Sequence, residues 1–402
     1  MTQPNAVAGS GAAPVPRLAS LDAYRGFVMF LMMAEVLRLA EVASHVPGSV
    51  IWGFLAFHQT HAPWAGCSLH DLIQPSFSFM VGVAVPYSMA ARVARGQSAR
   101  FMVGHAFWRA FVLVALGIFL RSIGRDHTYF TFEDTLTQIG LGYGVLFLLG
   151  FRPNRDAWIA CALLLVGYWA AFALYPLPGP GSDWSQTGTT ADWAYNYQGF
   201  AAHWNKNTNL AWAFDRWFLN LFTPDGWFSF NRGGYATLSF IPTLATMLLG
   251  LVAGRVMRSE RTPRERLTWL VAAGVIGIAA GWLLDVTGVC PSVKRIWTPS
   301  WTLFSGGWCF LLLAAFYAVV DVRGLRRPAF PLVVIGMNSI VAYLIAHLCE
   351  DFLRSTFRTH FGAGTFAWFG AAYEPFVMGA CILTAYWLML FWMYRRKVFL
   401  RI

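Results

Sequence analysis

Ten apolar runs of about 20 residues follow one another along the chain, at roughly 23–44, 71–91, 104–122, 134–151, 157–176, 236–257, 267–285, 301–320, 331–349 and 374–395. A run of that length spans about 30 Å of hydrocarbon as a helix, and backbone polar groups inside lipid must be satisfied within the segment. The expected fold is therefore all-α: a polytopic integral membrane helical bundle with about ten transmembrane helices. Composition agrees, with 57% hydrophobic and only 12% charged residues and a mean hydropathy of +0.50. Soluble domains carry about 25% charged residues.

Positive charge sets the expected orientation. The segments after runs two, four, six and eight, the C-terminal tail and Arg17 hold 18 Lys and Arg in short stretches, against nine spread over longer loops on the other side. Short loops rich in Lys and Arg face the cytoplasm, so both termini are expected there. The net charge of +11 is thus topogenic rather than a basic face for nucleic acid, and no nucleic-acid partner is expected. Residues 1–16, rich in Ala, Pro and Gly, read as a disordered tail without the basic start and apolar core of a signal peptide. Residues 17–402 read as one transmembrane domain. A long extracytoplasmic loop at about 177–235 is dense in Trp, Asn and Tyr, and reads equally as a carbohydrate-contact surface or as a loop lying on headgroups.

Six cysteines show neither CxxC nor metal-ligand spacing, so no metal site is expected. Cys67 and Cys290 fall in loops and are the one pair open to a disulfide.

Ionisable residues at a membrane boundary are where chemistry is sought first. His61-Ala-Pro-Trp64-Ala-Gly66 runs through Cys67 and His70 to Asp71 and Pro75. A neutral imidazole takes a proton from an amine or carries an acyl group, and a carboxylate such as Asp71 would orient it. The plain alternative is a loop histidine with Asp71 capping a helix, and His58 and His70 are rivals to His61. Asp22 and Arg25 lie one helical turn apart, either as a helix-start ion pair or with Arg25 gripping a phosphate. Lys294 and Trp297 read as interfacial anchors. Asn338 and Ser339 lie inside an apolar run, where they bond a neighbouring helix or line a cofactor channel. Gln138, Glu35, Arg38 and His347 raise the same question more faintly.

The ordered set of motifs resembles the transmembrane N-acetyltransferase family of heparan-alpha-glucosaminide N-acetyltransferase and its bacterial relatives. It comprises Arg17-Leu-Ala-Ser-Leu-Asp22-Ala-Tyr-Arg25-Gly26, His61-Ala-Pro-Trp64-Ala-Gly66 with Asp71 and Pro75, and Phe79-Met-Val-Gly82. It continues with Trp108-Arg109, Lys294-x-x-Trp297-Thr-x-Ser300, Asp321-Val-Arg-Gly324, Gly336-Met-Asn338-Ser339 and Arg396-Lys397-Val-Phe. The resemblance implies transfer of an acetyl group from cytoplasmic acetyl-CoA to an amino sugar or envelope glycan beyond a bacterial inner (cytoplasmic) membrane. It implies His61 as base or transient acetyl carrier with Asp71, and Arg25, Arg109, Asn338, Ser339 and Gln138 on the acetyl-CoA side. Trp64, Lys294 and Trp297 would then meet the acceptor.

The chain also departs from the family. Glu35-Val36 stands where an Asn is usual, Thr137-Gln138 replaces Gln-Arg, and the segment before His61 is longer, with an aromatic patch over Trp52–Phe57. A direct and a ping-pong route both stay open, as does a homodimer. The competing expectation is a transporter or flippase with no covalent chemistry, although no inverted repeat and no paired broken helices are legible.

Overall fold

The computed structural model describes residues 18–179, 182–222 and 226–400. The expected disordered tail over residues 1–16 lies outside them. The described chain is helical: α1 Ala19–Met33, α2 Leu39–His45, α3 Val50–Gln59, α4 Ile73–Val93, α5 Ala99–Ser122, α6 Thr135–Gly150 and α7 Asn154–Ala173 are followed by α8 Leu210–Phe218. Next come α9 Phe240–Arg258, α10 Pro263–Val286, α11 Pro299–Phe316, α12 Arg326–Met337, α13 Ser339–Leu348, α14 Glu350–Phe361 and α15 Glu374–Arg395. Among the described residues, six helices are long and apolar enough to cross a membrane, or seven if α12 and α13 form one broken span. This is a helical integral membrane protein. The other expected crossings coincide with α1, α4 and α6, which fall short in length or apolarity.

Close backbone contact organises the centre. Gly82 of α4 packs against the Met247 backbone, and Gly250 and Gly254 of α9 pack against the backbones of Phe79 and Val83. Gly26 and Gly336 do the same for α1 and α12. Small residues let helices approach where lipid offers no hydrophobic drive, and a methyl group at any of these positions would collide with main chain.

Two expected spans change shape. Run 23–44 is not one helix: Arg38 turns left-handed at φ 48, and the Gln59 side chain holds the break by bonding the Leu39 amide and the Ala34 carbonyl, both at 2.6 Å. The polar residues Glu35 and Arg38 give this stretch partners that a continuous helix would forfeit. Run 331–349 bends by 72° between α12 and α13. At the bend the Asn338 amide bonds the Val398 carbonyl at 2.8 Å and its oxygen accepts from the Leu400 amide at 3.1 Å. The N-terminus of α1 is capped by Asp321, whose carboxylate takes the Ala19 and Ser20 amides at 3.2 Å each, while Asp22 sits 3.5 Å from Arg25.

In the 177–235 segment, the amides that suggested a glycan surface fold the loop itself. Asn207 bonds the carbonyls of Thr187 and Asn231, Asn205 pairs with the Tyr197 backbone, and Asn209 caps α8. Trp204 is fully buried.

Candidate active site

The segment between α3 and α4 is fixed from within. Gly66 takes φ 114, a conformation that L side chains rarely adopt. The Ser68 hydroxyl bonds the Thr60 carbonyl at 2.6 Å. Asp71 precedes α4 and does not cap it. Its Oδ2 accepts from the Ala62 amide at 3.1 Å and from the Ser68 amide at 3.0 Å, tying the loop to itself. Its Oδ1 lies 2.8 Å from His61 Nδ1.

A second loop brings the cation. Ala65 pairs with Val293 in an isolated antiparallel bridge, and the Arg295 guanidinium bonds the Ala62 carbonyl at 3.1 Å. Trp297 holds a left-handed turn at φ 49, which is uncommon for a bulky residue. Its buried indole donates to Thr246 Oγ1 at 3.1 Å and packs with Leu72 and Trp301. The turn delivers Lys294 Nζ to 2.9 Å from His61 Nδ1 and 3.2 Å from Asp71 Oδ1.

One ring nitrogen cannot donate to Asp71 and accept from Lys294 at once. With the proton on Nδ1 and Asp71 accepting it, Nε2 keeps the lone pair for chemistry. Burial pulls the His61 pKa below its ordinary value, the Lys294 and Arg295 charges pull the same way, and Asp71 opposes them. Burial works against ionising Asp71, but His61, Lys294 and the two backbone donors outweigh it and hold its carboxyl well below the usual range. Burial also lowers Lys294, with Asp71 opposing. At neutral pH the site is a neutral imidazole beside an ionised carboxylate, as a general base requires.

His61 and Lys294 line a cavity of about 370 Å³, of the size that holds a small ligand. Glu35 and His70 line it as well. The His70 ring centroid is 4.5 Å from that of His61, and its Nε2 is 3.3 Å from Glu35 Oε1. Sequence reasoning made His70 a rival at best and gave Glu35 a faint signal, because their approach depends on the break after α1.

A second cavity, of about 510 Å³, follows α4 away from His61 and is walled by Arg25, Arg92, Arg95 and Arg109. Phe77 lines both cavities, and about 22 Å of helix rise separates it from Arg92. Arg109 donates to the Tyr143 hydroxyl at 3.2 Å. Its buried Nε has no hydrogen-bond partner among the described residues.

The expected residues therefore divide. His61, Asp71 and Lys294 come together at one cavity, and Arg25, Arg109 and Ser339 line the other. Gln138 ties the Phe132 and Thr237 carbonyls, Asn338 ties the tail, and neither lines a cavity described above. Trp64 and Trp297 are fully buried and hold the loops, Trp64 through the Trp204 carbonyl at 3.2 Å. Cys67 and Cys290 are both free thiols.

No protein-family model matches the chain. Heparan-alpha-glucosaminide N-acetyltransferase of Homo sapiens is 24% identical over 440 residues, covering 96% of this chain and 60% of that protein. The Mus musculus protein of the same name is 22% identical over 443 residues, with the same coverage. The chain thus spans about 60% of the length of these curated relatives. Similarity along nearly the whole chain, in a helical membrane protein, supports membership of the family of heparan-alpha-glucosaminide N-acetyltransferase.

Proposed function

We propose that the protein moves an acetyl group from acetyl-CoA, entering from the cytoplasm, to an amine on the far side of the membrane. The observation that carries the reading is the pairing of His61 Nδ1 with Asp71 Oδ1 at 2.8 Å in a cavity that shares Phe77 with an arginine-walled one. Guanidinium groups bind phosphate in a planar, bidentate manner, so Arg25, Arg92, Arg95 and Arg109 would take the CoA phosphates. The pantetheine arm would then run along α4 towards Phe77 and His61.

The acceptor nitrogen attacks the thioester carbonyl. His61 Nε2 takes the N–H proton as the C–N bond forms, the C–S bond breaks, and the proton passes to the leaving thiolate. Asp71 stabilises the imidazolium, and holding donor and acceptor in one site supplies the proximity contribution. Ten crossings with both termini in the cytoplasm, as the loop charges imply, would put His61 outside a bacterial inner membrane. An amino sugar or envelope glycan is the acceptor class that fits there.

The test is release of CoA by purified protein given acetyl-CoA and D-glucosamine, with His61→Ala as comparison. Full activity in that variant sinks the assignment. The break between α12 and α13 is the feature that favours a transporter. Glucosamine uptake into vesicles without CoA release would establish that reading instead.

A further inference from the structure

The outer cavity holds a second imidazole–carboxylate pair that the transfer step above does not use. Glu35 lines the cavity with its side chain 54% exposed, while its neighbour His70 is 9% exposed. Among the described residues, no Lys or Arg lies within ion-pair distance of Glu35. Arg38, three positions on, turns instead to Glu350 at 3.0 Å and Glu41 at 3.7 Å, and Lys294 is committed to Asp71. Besides His70, the charges that act on Glu35 are Lys294 and Glu350, and Arg121 and Glu133 line the same cavity. Burial, with the His61 and Lys294 charges adding to it, lowers the His70 pKa to about 4. His70 is therefore neutral at pH 7, and its contact with Glu35 is a hydrogen bond rather than an ion pair. A carboxylate that lines the cavity beside the proposed base, with no Lys or Arg in ion-pair contact among the described residues, fits a cationic group brought in by a ligand.

We infer that Glu35, held by His70, is the anionic subsite that takes the acceptor's ammonium group and its first proton. The inference rests on the reading of His61 as base, and it answers a requirement of that chemistry. A primary amine in water at pH 7 is mostly an ammonium ion, which has no lone pair for attack. Two protons must leave its nitrogen before an amide exists. The first passes from R–NH₃⁺ to Glu35, giving the free amine and a carboxylic acid. The second leaves as the C–N bond forms, goes to His61 and ends on the CoA thiolate. Glu35 then returns its proton to water through its exposed side. The net change is one amide, one thiol and one released proton from an ammonium ion and a thioester. Glu35 thus contacts substrate, whereas His70 is a positioning residue.

The test compares wild type, Glu35→Gln and Glu35→Asp with acetyl-CoA and D-glucosamine across pH. Losing a charge-assisted contact predicts a KM for glucosamine raised about tenfold or more in Glu35→Gln at pH 7. The gap should narrow as pH passes the ammonium pKa of the sugar, where the amine arrives neutral. Glu35→Asp should stay nearer wild type. An unchanged KM at every pH overturns the subsite and leaves the His61 reading intact. Wild type that never acetylates glucosamine fails the underlying reading instead. A binding measurement on wild type, needing neither turnover nor a variant, decides the subsite in that case. Choline should stabilise the protein thermally more than its neutral isostere 3,3-dimethylbutan-1-ol. Equal shifts from the two would overturn the proposal.

Discussion

Lys294 and Asp71 meet at 3.2 Å across two loops that are far apart in sequence, with His61 Nδ1 within 2.9 Å of both. The carboxylate carries three tasks there. It closes its own loop through the Ala62 and Ser68 amides, neutralises a buried ammonium and selects the tautomer of His61.

Asp71→Asn should therefore do more than weaken a salt bridge. An amide presents an N–H towards Nδ1 as readily as an oxygen, so the base tautomer is no longer enforced. We expect CoA release to fall by a factor on the order of 10²–10⁴. Binding of acetyl-CoA, read by calorimetry, should change little because the arginine-walled cavity is untouched. A fall of less than threefold would count against Asp71 as the orienting group.

The pH dependence follows from the direction of the His61 shift. An unperturbed imidazole has a pKa of about 6.5, and burial with the Lys294 and Arg295 charges puts that of His61 lower. The acid limb of kcat/KM should accordingly lie below pH 6.5. In Lys294→Met a charge that lowers His61 is gone, so the limb should move upward. A limb that stays fixed in that variant would mean another group controls the profile.

Lys294→Met also has a stability consequence. It leaves Asp71, 1% exposed, as a buried carboxylate without its ammonium, which typically costs about 3–5 kcal/mol. The folded-state pKa of Asp71 is depressed by contacts that include Lys294. The associated stability is present above the unfolded carboxylate value of about 3.9 and is lost as pH falls through the lower folded value. Thermal unfolding in detergent at pH 7 should show a lower Tm for Lys294→Met than for wild type. The difference should shrink in acid as Asp71 protonates.

Much of this protein was legible from hydropathy. The expected runs coincide with helices because about 20 apolar residues leave the backbone few other options in lipid. The exceptions have local causes. At Glu35 and Arg38, side chains from α3 and α14, Gln59 and Glu350, supply the partners that end α1, and hydropathy cannot see them. Asn338 looked like a channel-lining amide, yet it serves the C-terminal tail. His61 and Asp71 were readable because they share one short segment. Lys294 was readable as a residue of interest but not as their partner, since that depends on the Ala65–Val293 bridge. Arg92 and Arg95 read only as topogenic charge, though both wall the larger cavity.

Arg109 supplies a prediction for that cavity. Its buried Nε lacks a partner among the described residues, which costs free energy unless a ligand oxygen arrives. Arg109→Lys keeps the charge but loses the planar fork, so we expect the KM for acetyl-CoA to rise about tenfold while kcat changes little. Competition by CoA itself should weaken in parallel. An unchanged KM would move the phosphate contacts to the other arginines.

Phe77 lines both cavities and is 7% exposed. If the thioester reaches His61 past this ring, the ring limits the acyl group that can follow. Phe77→Ala removes that ring and should shift donor preference from acetyl-CoA towards butyryl-CoA, read as the ratio of the two kcat/KM values. Truncating a buried Phe costs about 3–5 kcal/mol, so rates alone could fall simply because the protein is less stable. The ratio is insulated from that, because both donors meet the same folded fraction. Phe77→Leu, which fills more of the gap, should fall between. If the ratio is constant across wild type and both variants, the donor does not pass Phe77, and the link between the cavities must lie elsewhere along α4.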